Sequence, residues 1–131
     1  MAKKDLGRTI IDELRLCYTA ESSLLEELSS IEFGNWKNHG DFSLFRVVSR
    51  HFQYAYDVLY GSTFETRTKV ATLRFGHYGG QEQASYVYYR IENEVLYDQK
   101  LLTTTLTLPD LLEMTYQHIT SIDLARDFKF N

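Results

Sequence analysis

Two aspartates near the end of the chain, Asp123 and Asp127, have the residue type and spacing that most directly suggest chemistry. Read as a strand, residues 118–131 are two-sided: Ser121, Asp123, Ala125, Asp127 and Lys129 share one face, and Ile122, Leu124, Phe128 and Phe130 share the other, interrupted by Arg126. Strand rise alone puts the two carboxylates about 13 Å apart at Cα, with a small alanine between them. Glu92 and Glu94 form a second pair, two residues apart and on one face if residues 85–97 are a strand. Should that strand lie beside the terminal one, the acids crowd together, which is tolerated when a divalent cation binds them or their pKa values rise. A hard cation, Mg or Mn, takes carboxylate oxygens and polarises a phosphodiester. The alternative is that these acids face water, with Asp127 paired to Lys129 and the glutamates to Arg90.

Other chemistries find less support. His39, His51, His77 and His118 are scattered, with no His-apolar-His triplet and no H-E-x-x-H. Gly76 and Gly79-Gly80 fit hairpin turns, not a phosphate loop, and there is no serine nucleophile elbow. Tyr54, Tyr56, Tyr60, Tyr86 and Tyr88 suit base stacking or nucleophilic attack, or equally sheet packing with the hydroxyl reaching water. Arg46, Arg50, Arg67, Arg74 and Arg90 lie among these aromatics and suit a phosphate track. The net charge of −4 argues against a general nucleic-acid coating protein but not against a nuclease, whose metal-binding acids offset its basic strip.

Positioning these residues takes one domain, residues 1–131, long enough to bury a core. Abundant tyrosine and phenylalanine (10 and 8) with little glycine or proline (7 and 1) favour strands. Residues 9–18 read as a first strand, followed by a helix capped by Thr19, or by Ser23 with Glu26, and carrying the stripe Leu24, Leu25, Leu28, Ile31. Residues 34–40 read as a loop. Strands follow at 42–48, 52–60, 69–78 and 85–97, the last two as a hairpin. Residues 98–107 read as a connection with some strand in 101–106. Pro109, Asp110 and Glu113 open a second helix with the stripe Leu108, Leu111, Leu112, Tyr116, Ile119 before the terminal strand. The expected fold is α+β: a mainly antiparallel sheet of five or six strands with two helices on one face. The lone Cys17 rules out a disulfide framework. No stretch is long and apolar enough to span a bilayer, and no signal-peptide pattern follows the charged N-terminus, so a soluble cytoplasmic protein is expected.

The two ends of the chain carry a family pattern. Ile11-Asp12-Glu13-Leu14-Arg15-Leu16-Cys17-Tyr18, then a helix, strands, a helix and Ile119-Thr120-Ser121-Ile122-Asp123-Leu124-Ala125-Arg126-Asp127-Phe128, resembles the replication initiation factor family. These are rolling-circle initiators of Gram-positive plasmids and the related nicking proteins of conjugative elements. The sequence departs from the family pattern at Glu13, Ser121 and Arg126. The resemblance implies a metal-dependent endonuclease that nicks one DNA strand, single-stranded or at an origin hairpin, and stays joined to it through a tyrosine. By motif match it marks only Asp123 and Asp127 as metal-site positions, and Asp12 and Arg15 as motif residues without an assigned role. Glu92 and Glu94 join the metal candidates from the strand reading above, and in a domain of this kind Arg15 or Arg126 would contact DNA phosphate. The family's nucleophilic tyrosine lies beyond the matched strand, so the chain is expected to be the N-terminal portion of a nicking domain, inactive alone.

A second expectation is a non-enzymatic interaction module. A terminal strand left at a sheet edge invites pairing with a second copy, giving a homodimer.

Overall fold

The computed structural model describes residues 9–78 and 85–126, and the side chains within them except those of 9–12, 64 and 120–126. The strands are β1 (Thr9–Thr19), β2 (Trp36–His39), β3 (Phe42–Val47), β4 (Phe52–Tyr60), β5 (Thr68–His77), β6 (Tyr86–Ile91) and β7 (Thr115–Arg126). The helices are α1 (Ser22–Ser29), α2 (Asn93–Leu96), α3 (Gln99–Thr105) and α4 (Leu108–Leu111), with a short 3₁₀ turn at Phe64–Thr66. The strands form one 7-stranded antiparallel sheet in the order β2-β3-β4-β5-β6-β1-β7. Strands β2 to β6 are a meander, and β1 completes the sheet between β6 and β7.

Alternation decides which side chains go inward. Leu16 and Tyr18, Leu44, Tyr56 and Val58, Leu73 and Phe75, and Val87, Tyr89 and Ile91 share one face and are buried in one continuous cluster with Leu28, Ile31, Val95, Leu108 and Leu112 of the helical segments. Burying each large side chain contributes about 1.5–3 kcal/mol. Two tyrosines also peg the sheet to the helices: the Tyr56 hydroxyl donates to Leu28 O at 2.7 Å and the Tyr89 hydroxyl to Thr105 O at 2.7 Å. A buried phenol needs such an acceptor.

The sheet exceeds the expected five or six strands because β2 forms inside residues 34–40. Gly34 (φ 80°) and Gly40 (φ 63°) make the turns the sequence suggested. Between them, Trp36 to His39 pair with β3, and Trp36 stacks on Phe45 with ring centroids 6.1 Å apart. Helix α1 starts at neither Thr19 nor Ser23: its N-cap is Glu21, without a side-chain cap. The expected strand 85–97 stops at Ile91, residues 93–96 form α2, and residues 99–105, where some strand was expected in 101–106, form α3. Asp98 caps α3, its carboxylate accepting from Leu101 N at 3.1 Å. Pro109 sits in the first turn of α4 as expected, but Tyr116 and Ile119 belong to β7. The hairpin tip with Gly79 and Gly80 lies outside the described residues. No helix among the described residues is long and apolar enough to cross a membrane.

Candidate functional site

The sheet face turned away from the helices is polar, and the strand register dictates which charges meet there. One cross-strand row runs through the positions Ser121, Arg15, Arg90, Thr72, Asp57, Phe45 and Trp36. The next runs through His118, Cys17, Tyr88, Arg74, Ala55 and Val47. Directly paired residues share a face and touch.

The charged side chains of this face alternate in sign across the sheet. Glu13 on β1 holds Arg15 Nε at 2.7 Å and Arg90 Nε at 3.2 Å. Arg90 Nη1 reaches Glu92 at 3.2 Å; Lys69 lies 3.9 Å from Glu92 and 3.4 Å from Asp57. The network is half-buried, so its charges are screened less than on an open surface. Arg74, on β5 beside it, is different. Its guanidinium makes no hydrogen bond or ion pair to another described residue, and its described contact is the Phe52 ring, 6.0 Å from Cζ to centroid. Burial lowers its pKa from the ordinary value, and the positive charges of Arg15 and Arg90 lower it further, against the pull of Asp57 and Glu13. An arginine stays charged regardless.

Asp123 occupies the cross-strand position opposite Glu13, so the sheet brings an expected metal-site position next to an acid that sequence reasoning had treated only as a departure from the family pattern. Asp127 lies outside the described residues. Glu92 and Glu94 do not share a strand face: Glu92 is the N-cap of α2, and Glu94 is exposed in its first turn. Arg15 is exposed on β1 opposite Arg90 and Ser121. Arg126 sits opposite Thr9, far along β7 from the network. Glu13, with Asp123 at its paired position, supplies candidate oxygen donors for a cation; among the described residues no group of three or more His, Cys, Asp or Glu is gathered to hold one.

The arginines named from the sequence separate by role. Arg46 is buried on the helix side, its Nη1 donating to Ile31 O at 2.6 Å and Ser29 O at 3.4 Å, where the last carbonyls of α1 need donors. Arg67 donates to Gly61 O at 2.9 Å and Asn38 Oδ1 at 2.9 Å, tying the β4–β5 connection to β2. Arg90 belongs to the ion network. Arg50 and Arg74 line a cleft of about 310 Å³ with Lys69 and Thr72, residues the sequence reading passed over. The available signal was the i, i+2 spacing of Thr72 and Arg74 on one strand.

Tyrosines also divide. Tyr56 and Tyr89 are buried, and burial raises the pKa of each phenol. Tyr18 is pushed up to about 12, by burial first and then by Asp110 and Tyr116. Such hydroxyls are structural donors and poor nucleophiles at neutral pH. Tyr88 lies instead on the charged face, 5.8 Å from Phe52 between ring centroids. Comparison with protein families, with curated proteins and with solved structures returns no match for this chain.

Proposed function

We propose that this chain is a DNA-binding domain of the replication-initiator type, which holds the phosphate backbone against the charged face of its sheet. It works in the cytoplasm. The observation that supports this reading is the grouping of Arg15, Arg90 and Arg74 on the consecutive strands β1, β6 and β5, with Arg15 directly opposite Arg90 and Arg74 diagonal to Arg90, about 7–8 Å away. Guanidinium forks that now hold carboxylates have the geometry to hold phosphate oxygens, and they are already partly desolvated. The acids that alternate with them offset the charge and favour binding at defined points over general coating. A Mg or Mn ion would sit between Glu13 and the paired position of Asp123, and its chemistry there would be to polarise a phosphodiester oxygen.

Anisotropy titration of a labelled single-stranded oligonucleotide and of an origin-type hairpin tests the proposal. Binding should weaken with salt, and Arg15→Gln should reduce the single-strand log–log slope by about 0.7, one phosphate contact. No binding at low salt, or binding indifferent to salt, overturns it. Calorimetric Mn²⁺ binding lost in Glu13→Gln/Asp123→Asn supports the cation; no saturable binding in the wild type removes it.

A second reading, self-association, has its own support. Strand β7 is at the sheet edge among the described residues, and Tyr116 and Ile119 on it are 52% and 46% exposed. An edge with unpaired backbone groups and apolar side chains is a template for a second copy. Light-scattering mass that rises to a dimer with concentration supports this reading; a monomer throughout removes it.

A further inference from the structure

The cleft between the β3–β4 connection and β5 lies on the charged face, away from the Glu13–Asp123 end. Ser49 and Arg50 form one wall; Asp57, Lys69, Thr72 and Arg74 form the floor and the other wall. It holds three cationic side chains and one carboxylate, and that carboxylate, Asp57, is already engaged by Lys69 at 3.4 Å. Arg74 has no acceptor among the described residues and faces the like charges of Arg15 and Arg90. Thr72 is 5% exposed, and its Oγ1 is sealed from water without a hydrogen-bond partner among the described residues. A hydroxyl closed to water is equally closed to a ligand oxygen, so Thr72 shapes the floor of the cleft without donating into it. Ser49 Oγ accepts from His51 N and Phe52 N, each at 3.3 Å, which folds the loop over the cleft and leaves its own hydrogen free to donate. The Arg74 guanidinium and the Ser49 hydroxyl thus meet at a cleft whose one carboxylate among the described residues, Asp57, is held by Lys69.

We infer that this cleft is a phosphate-binding subsite, in which Arg74 neutralises the anion, Arg50 closes over it, and the Ser49 hydroxyl donates to one of its oxygens, while Lys69 stays paired with Asp57 on the floor. Assigning the phosphate to a DNA backbone rests on the function proposed above; the anion chemistry does not. The subsite lies three strands from β7, about 14 Å by strand spacing, so one strand of DNA laid across the face would meet both ends.

The test uses inorganic pyrophosphate and, separately, a labelled dT oligonucleotide. Saturable amide shifts at Ser49, Arg50, Thr72 and Arg74 in the ¹⁵N-labelled chain are expected with pyrophosphate. Arg74→Gln should weaken this binding about tenfold, the loss of one charge-assisted bond, and Arg50→Gln about fivefold. Because no described residue offers Arg74 an acceptor, Arg74→Gln should leave the melting temperature of the free protein near that of wild type while weakening pyrophosphate binding, a combination that a purely structural role would not produce. Should Arg74→Gln fail to fold, the exposed Arg50→Gln decides alone. Shifts absent from the cleft, or wild-type affinity in the folded variants, overturn the subsite even if the oligonucleotide binds. Pyrophosphate binding in the cleft with no oligonucleotide binding upholds the subsite for a small phosphate compound and rejects the DNA reading.

Discussion

Arg46 and Arg74 stand mid-strand on opposite faces of the same sheet, and their surroundings differ completely. Arg46 is buried against α1, donates to Ser29 O, Ile31 O and Gln53 O, and lies 4.3 Å from the Phe33 ring and 4.9 Å from the Tyr54 ring. It supplies the donors that the C-terminal carbonyls of a helix lack, at the negative end of the helix dipole. Arg74 has an aromatic neighbour but no hydrogen-bond acceptor among the described residues, and it feels the cations Arg15 and Arg90 more than the carboxylates Asp57 and Glu13. A buried charge persists when the fold satisfies it, as at Arg46, and invites an external partner when the fold does not, as at Arg74. The helix face therefore holds the structure together, and the charged face is where binding is expected.

That contrast breaks most directly at Arg46. Arg46→Met should destabilise the protein by about 3 kcal/mol in urea unfolding, because buried carbonyls lose charged donors; an effect under half of that would dissolve the distinction between the faces. Tyr89→Phe comes next, at about 1–2 kcal/mol, since Thr105 O loses its buried partner. A smaller effect appears in the pH dependence. Burial on the helix side holds the His39 imidazole below its ordinary pKa, partly opposed by Glu27, whose Oε2 is 3.8 Å away. Its stabilising contribution is therefore full above pH 6.5 and lost as pH falls through the lowered value, because the unfolded chain takes up the proton first. Glu27 is lowered chiefly by its hydrogen bond to Lys37, and its loss starts only near pH 4.5. The melting temperature should thus fall between pH 7 and 5 in the wild type and stay flatter in His39→Gln. Smallest of all is Arg74→Met, expected within about 0.5 kcal/mol of wild type or more stable. A large loss there would mean that Arg74 is structural after all.

Much of the fold was legible locally. Period-two alternation marked β1, β4 and β5, the leucine stripe marked α1, and Pro109 marked the first turn of a helix, because each rests on neighbours along the chain. Two misreadings share a cause: Trp36 to His39 became a strand because β3 offered them a partner, and residues 93–96 and 99–105 became helical because Val95 and Thr105 are buried beneath the sheet, whatever their local strand character. The candidate site was less legible. Its residue types could be named from the sequence, as acids near both ends and arginines among aromatics. Only the tertiary structure decided that Glu13 meets Arg90, 77 residues away, and stands opposite Asp123, while Arg74 meets no carboxylate. Side-chain periodicity tells which face a residue takes, but the order and register of strands tell which charges share that face, and those follow from packing the whole chain at once.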